Sequence, residues 1–337
     1  MESCDAIAGC GRPACKMLDG DVEFLSTASG TTEGCHPGGL QTKWVVKETR
    51  DRELLQAYLS ICPEVQTYAL GDLAPPHWDH CRWHVLCDLL GCVHAVALTY
   101  TGLTTPVLQV LADPREDHCL AAAASLLRSL AVHHLPGLGA FECHVNAGLQ
   151  DLLLEAGFSL AVRPHQRLAL PRDCLRRLCP VDDANQTETE AGKQDMRPVG
   201  HTAPPTDLAT RLGPADAEAA AALCATMPRS WFEPKVLQEG RYLGIWQEGR
   251  LASMGGTHVF APEYGVAALG NVGTDTDFRG RGLGKALVHQ LCCHLCQEGI
   301  QVVSLNVESD NEPALRLYKS LGFSTVMDFV ECDVIRT

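Results

Sequence analysis

No run of apolar residues in this chain approaches the roughly 18–20 needed to cross a bilayer as a helix, so a helical membrane anchor is not expected. The first forty residues also lack an apolar core, and they set Glu2, Asp5, Asp19, Asp21, Glu23 and Glu33 against Arg12 and Lys16. That pattern is neither a secretory signal nor a basic transit peptide, and it points to the cytoplasm and away from a membrane partner. Basic charge is scarce: 27 Lys and Arg against 41 Asp and Glu give a net charge of −14. Clustered cations are what phosphate backbones require, so a general nucleic-acid binder is excluded. An acidic surface instead favours cationic over anionic ligands through its long-range field. A disulfide framework is missing as well, because the 17 cysteines are odd in number and scattered through helical and strand-like segments. Most are expected to be small buried hydrophobes. His80-Cys81-x-x-His84-x-x-Cys87 has ligand-like spacing but no second paired half, and Cys293-x-x-Cys296 falls in an amphipathic helix pattern. No metal is therefore expected. Cys4, Cys10 and Cys15 carry no assignment.

What is present is 337 residues of ordinary globular composition, 46% hydrophobic and 20% charged, enough for two domains. Residues 1–41 are rich in Gly, Ser, Thr and Cys without periodicity and read as a flexible extension. The acidic and Pro-containing stretch from Pro180 to about Thr206 reads as a linker. The expected organisation is an extension (1–41), an N-terminal lobe (42–175), a linker (176–206) and a C-terminal lobe (207–337). In the last, a helix is expected from Pro214 to Ala225, and strands over Tyr242–Trp246, Leu251–Met254, Val266–Val272 and Ile300–Val307. Leu283, Leu287, Leu291 and Leu295 mark an apolar helical face closed by Gly299. Asn311 should cap a helix with Pro313 in its first turn and its end at Gly322. Strands with interleaved helices give an α/β (α+β) fold.

Between a strand and the long helix lies Arg279-Gly280-Arg281-Gly282-Leu283-Gly284-Lys285. Glycines at 280, 282 and 284 let the backbone approach an anion, the following helix offers its positive end, and Arg279, Arg281 and Lys285 add full charges. A pyrophosphate site is the reading. A Walker A loop needs a glycine five residues before Gly284, where Arg279 stands, and Ser or Thr after Lys285, where Ala286 stands. A dinucleotide fingerprint needs a third glycine at Lys285 or Leu287. Both fail.

Arg279-x-x-Gly282-x-Gly284 resembles the phosphate loop of the GCN5-related N-acetyltransferase (GNAT) family. Asn271-Val272-Gly273-Thr274 resembles that family's splayed fourth strand. The element from Asn306 to Phe323, with Ala314, Tyr318, Gly322 and Phe323, is similar to its second motif. The resemblance covers about residues 208–330. It implies two lobes, each a mixed, centrally splayed sheet flanked by helices, and acetyl-CoA or another acyl-CoA as co-substrate. By the same resemblance Val272, Gly273, Thr274, Arg279, Gly280, Arg281, Gly282, Leu283, Gly284, Lys285 and Asn311 bind it. An amine attacks the thioester directly, an N–H near Gly273 or Thr274 polarises its carbonyl, and Tyr318 protonates the leaving thiolate. The general base is open between Glu308, Asp275 and His258. The acceptor is an amine on a small molecule or peptide, chosen by loops such as Pro228–Pro234, and the oligomeric state is open. A longer-chain acyl donor, as in the glycine acyltransferase branch, and a non-catalytic acyl-CoA sensor or partner-binding module stand as alternatives.

An internal repeat also emerges. Arg115 precedes Phe158 by 43 positions, as Arg279 precedes Phe323 by 44. His118 and Leu120 stand for Gly282 and Gly284, Leu153 for Tyr318, and Glu116 and Asp117 would repel a pyrophosphate. The N-terminal lobe is thus expected to be a degenerate copy that binds no CoA. Tyr68, Trp78, Trp83 and Pro75-Pro76 are read as core and turn residues, with a substrate groove as the other option.

Overall fold

The computed structural model describes residues 44–179, 208–227 and 232–336. The N-terminal extension with Cys4, Cys10 and Cys15, most of the expected linker, and Pro228-Arg229-Ser230-Trp231 of the acceptor loop lie outside the described residues. No helix among those described is long and apolar enough to cross a membrane.

The strands and helices follow in chain order. They are β1 (Val45–Thr49), α1 (Arg52–Leu59), α2 (Pro63–Gly71), β2 (Cys81–Cys87), β3 (Val93–Tyr100), β4 (Val107–Val110), α3 (Asp117–His133) and β5 (Phe141–Asn146). Next come α4 (Asp151–Glu155), β6 (Phe158–Leu170), α5 (Arg172–Leu178), β7 (Thr210–Arg211), α6 (Ala217–Cys224), β8 (Tyr242–Gln247) and β9 (Arg250–Ala261). Then follow β10 (Val266–Thr274), α7 (Leu283–Gln297), β11 (Val302–Glu308), α8 (Glu312–Ser320) and β12 (Ser324–Arg336). The mixed α/β class is as expected. Pro214–Asp216 forms a 3-10 turn ahead of α6, so that helix is shorter than its sequence pattern suggested.

The chain divides into two compact units. The first comprises described residues up to 167, with 306–310 and 325–336. Its sheet runs β1-β2-β3-β4-β5-β12-β6. Pairing is antiparallel from β1 to β4, parallel between β4 and β5, and antiparallel between β5 and β12. The final strand of the chain therefore completes the sheet of the first unit, with Glu331 opposite His144 and Asp333 opposite Glu142. One face is covered by α3, whose Ala122, Ala123, Leu126, Leu127 and Leu130 are buried against Cys143, Val145, Val330 and Cys332. Trp83 is fully buried and Trp78 stacks on it at 6.2 Å, so both belong to packing.

The second unit, residues 168–305 and 311–324, repeats the order of strand types. β7, β8, β9 and β10 are successively antiparallel, α7 crosses over, and β11 pairs parallel to β10. The same pattern, an antiparallel run followed by a helical crossover to a parallel strand, is made by β4, α3 and β5. Helices α7 and α8 of the second unit end as their glycines dictate. At α7, Gly299 (φ +86°) donates to Cys296 and Ile300 to Leu295. At α8, Gly322 (φ +95°) donates to Lys319 and Phe323 to Tyr318. Each is a paired C-terminal cap, and only glycine enters the left-handed region without cost. The cap at α8 also seats Phe323 edge-on against Tyr318, centroids 5.8 Å apart, which gives the Tyr-x-x-x-Gly-Phe spacing a physical reason.

Candidate active site

The site grows from the departure of β10 from its neighbour. β10 and β11 pair only from Val266↔Val302 to Ala268↔Ser304, after which β10 keeps a ladder with β9 alone. Two irregularities follow. Between Ala268 and Leu269 the β9 strand carries His258 as an extra residue, and between Gly270 and Gly273 the β10 strand carries Asn271 and Val272 against one partner residue. Asn271 takes φ +51°, a conformation that asparagine tolerates better than most residues, and its amide donates to the Tyr242 hydroxyl at 3.0 Å. Burial pushes the Tyr242 hydroxyl up to about 12, so it stays protonated and accepts that bond at neutral pH. Val272 is left without a cross-strand partner in either ladder.

Two glycines on this stretch exist for close approach. A Cβ at Gly270 would lie 2.2 Å from ring atoms of His258, and one at Gly273 would lie 2.2 Å from Met227 Cε and 2.5 Å from its Sδ. The imidazole and the thioether thus rest directly on the β10 backbone. Neither contact could be read from the sequence, because each arises from a bulge or from a loop folding over a strand.

The strand end is tied to the loop by Ser253, Arg250, Asp275 and Phe278, of which Asp275 is the candidate base named from the sequence. Ser253 donates to the Gly273 carbonyl at 2.9 Å and sits 3.0 Å from the Thr274 hydroxyl. Asp275 caps the 3-10 turn Thr276–Phe278, its carboxylate accepting from Asp277 N at 2.9 Å. Arg250 bridges Asp275 at 2.7 Å and Asp277 at 2.9 Å. The Asp277 amide holds the Asp275 carboxyl below the usual carboxylate range, and Arg250 adds to this. Phe278 is buried beneath the guanidinium groups of Arg250 and Arg281, 5.1 and 5.0 Å from its ring centre.

From there the predicted phosphate loop folds back. Arg279 donates to the Thr274 carbonyl at 3.1 Å and Arg281 to the Asp277 carbonyl at 3.2 Å. Gly280 and Gly282 take φ +77° and +78°, and the space a Cβ would occupy at each is open. Gly282 is the N-cap of α7, so the amides of Leu283, Gly284 and Lys285 open the helix, whose first turn leaves its N–H groups without helical acceptors. Gly284 serves a different end. A Cβ there would stand 3.1 Å from Leu317 and 3.3 Å from the Thr274 hydroxyl, so this glycine lets the start of α7 pack on α8 and on the end of β10.

The structure accordingly gathers Val272, Gly273, Thr274, the 279–285 loop and α8 in one unit. Asn311 is the N-cap of α8, its side-chain oxygen accepting from Ala314 N at 3.2 Å. Tyr318 is 7% exposed. Glu308 is the last residue of β11 and belongs to the other unit. The surrounding protein lowers the His258 imidazole pKa by desolvation while the residue keeps an exposed edge.

In the first unit the corresponding places differ. Where β4 stops pairing with β5, the Asn146 side chain accepts from Ala112 N at 2.8 Å and donates to its carbonyl at 2.9 Å, stitching the strands together. Glu116 stands at the N-cap position of α3 without a side-chain capping bond, Asp117 is in its first turn, and Arg115 is folded onto Asp113 at 2.6 Å. The His80, Cys81, His84 and Cys87 side chains do not gather. Cys81 contacts the Asp72 and His77 carbonyls, while His84 packs on His134 at 4.5 Å.

Residues 215–323 match the Acetyltransferase (GNAT) family. A mycothiol acetyltransferase of Saccharomonospora viridis is 39% identical over 111 residues, 31% of this chain and 35% of that protein. An Escherichia coli [ribosomal protein bS18]-alanine N-acetyltransferase is 37% identical over 89 residues, 26% of this chain and 58% of that protein. The chain thus spans between about a third and somewhat over half of the length of these relatives. A solved structure of a Drosophila protein, 13% identical, aligns with a TM-score of 0.53 over 85% of this chain and 91% of that one, a likeness of fold.

Proposed function

We propose, from the premise that the C-terminal unit of this chain belongs to the acetyltransferase (GNAT) family, that the protein is a cytoplasmic N-acyltransferase moving an acetyl group from acetyl-CoA to an amine. The observation that carries this reading is the loop. Two left-handed glycines with open space beside them lead into the bare N-terminus of a 15-residue helix, flanked by Arg279, Arg281 and Lys285. Backbone amides and the helix field would hold the pyrophosphate there. The pantetheine arm would run along the Val272–Thr274 edge, with Asn311 beside it, and an N–H of that edge would polarise the thioester oxygen, Val272 being outside both ladders.

In the reaction the amine lone pair attacks the thioester carbon, the carbon–sulfur bond breaks, and Tyr318 gives its proton to the departing thiolate. The attacking nitrogen loses a proton to a base. Asp275 is poorly suited, because both its oxygens are already engaged. His258 gains support from its ring resting on Gly270 and from its lowered pKa, which keeps it neutral near pH 7. With His258 as base, the acid limb of kcat/KM falls below the ~6.5 of a free imidazole and vanishes in H258A. Persistence of that limb in H258A would remove His258 from this role.

Met227 crowding Gly273 supports a short acyl chain over the longer donors. M227A is expected to raise kcat/KM for hexanoyl-CoA relative to acetyl-CoA by about tenfold, measured in a free-thiol assay. An unchanged ratio would remove Met227 from acyl selection. The relatives are named for mycothiol and for an alanine of a ribosomal protein, so the acceptor screen includes amines of small molecules and of peptide N-termini. Turnover with any of them separates an enzyme from an acyl-CoA sensor. The first unit is read as a degenerate copy without a CoA site, supported by the Asn146 stitch and by acids at the start of α3.

A further inference from the structure

The sheet of the first unit brings six ionisable side chains from three neighbouring strands into two rows: Glu142, Asp333 and Arg163 in one, His144, Glu331 and His165 in the other. They are separated by up to about 190 positions in the chain, so no sequence spacing announces them. Glu331 stands between the two histidines, its Oε1 3.9 Å from His144 Nε2 and its Oε2 3.4 Å from His165 Nε2. Glu142 Oε1 lies 3.3 Å from the same His144 nitrogen. One donor atom from each of Glu142, His144 and Glu331 falls within 4.8 Å of the others.

We propose that Glu142, His144 and Glu331 form a binding site for a divalent transition-metal ion of the zinc class, with water completing its shell. Donors around a tetrahedral ion with bonds of ~2.0–2.1 Å sit roughly 3.3 Å apart, close to the spacings observed and longer than a good charge-assisted hydrogen bond. His165 steadies the carboxylate from the third strand. Its Nδ1 lies 3.1 Å from the Arg163 carbonyl, which can only accept, so Nδ1 carries the proton. Its Nε2 faces Glu331 Oε2 and leaves Oε1 for the ion. The charge is suitable too. Across the two rows three carboxylates and one guanidinium leave two formal negative charges. Arg163 contacts Glu142 at 3.5 Å but also pairs with Asp333. Arg167, one row further on, donates to the Val65 carbonyl and the Asn306 side chain, and its charge also reaches Glu331 and offsets part of the negative charge there. Imidazole with carboxylate suits zinc or cobalt better than calcium or magnesium. Bound there, the ion would cross-link β5 and β12, and so fasten β12 into this sheet.

Cobalt titration of the metal-stripped full-length protein tests this, because nitrogen and oxygen donors give visible d–d bands without the intense near-ultraviolet band of cobalt–thiolate. The expected result is such a spectrum, discharged by zinc, with H144A and E331Q each weakening cobalt about tenfold or more and abolishing the zinc-induced rise in unfolding temperature. Should H144A fail to fold, E142Q at the more open edge is read in the same way, with a weaker loss. No d–d bands, or a thiolate band that survives in E331Q and E142Q, would overturn the proposal and leave an imidazolium–carboxylate pair or an ion held by cysteines. Acetyl-CoA binding plays no part in this readout.

Discussion

G282V is expected to weaken acetyl-CoA binding about a hundredfold or more while the protein still folds. Two effects combine. Gly282 holds φ +78°, and a β-branched residue in that conformation costs about 1–2 kcal/mol, enough by itself for roughly a tenfold change if the loop relaxes away to escape it. The second effect is occlusion. The Cβ position at Gly282 meets no protein atom within 4 Å, so an added side chain is harmless to packing and enters the space proposed for the pyrophosphate. G282N separates the two, since asparagine accepts the left-handed region and so adds bulk with less strain. Calorimetry should place G282N between wild type and G282V. Wild-type affinity in G282V would mean that the loop is a turn and nothing more. Gly284 would respond differently, because its Cβ would press on Leu317 and Thr274, and a bulky residue there should lower stability as well as binding.

Y318F is expected to lower kcat about a hundredfold with the affinity for acetyl-CoA changed less than threefold. General acid catalysis contributes typically 10²–10⁴-fold, and the hydroxyl is the only group removed. The ring keeps its edge contact with Phe323 and its place in the α8 cap, so the variant should still fold. Pre-steady-state kinetics sharpen the point: the loss should sit in the chemical step. Unchanged turnover in Y318F would leave Tyr318 a packing residue and pass protonation of the thiolate to water.

How much of this was legible beforehand follows from what is local and what is not. Positive φ at Gly280, Gly282, Gly299 and Gly322, the Asn311 cap and the apolar face of α7 all arise within a few residues of chain, and the sequence pattern located them. Glycine 284 was read as a phosphate glycine, whereas its tight constraint is the approach of Leu317. The position of β12 could not be read. Its alternation of Val330, Cys332 and Val334 with Glu331 and Asp333 marks a strand, but nothing in it names β5 as partner. The same holds for His258 on Gly270, Met227 on Gly273 and the histidine–glutamate rows, which depend on bulges and on pairings between residues distant in sequence. The eroded loop at 115–120 was visible as a lack of glycines, but the Asn146 bridge that closes the neighbouring strands was not.

The most direct test is the stoichiometry of acetyl-CoA binding to the full-length chain by calorimetry, read beside turnover in an amine screen. One molecule per chain is expected, lost in G282V and retained in Y318F and in E116Q/D117N, with product formed at full rate only by wild type and E116Q/D117N. No binding under conditions where an established GNAT enzyme binds, or binding undiminished in G282V, would contradict the account.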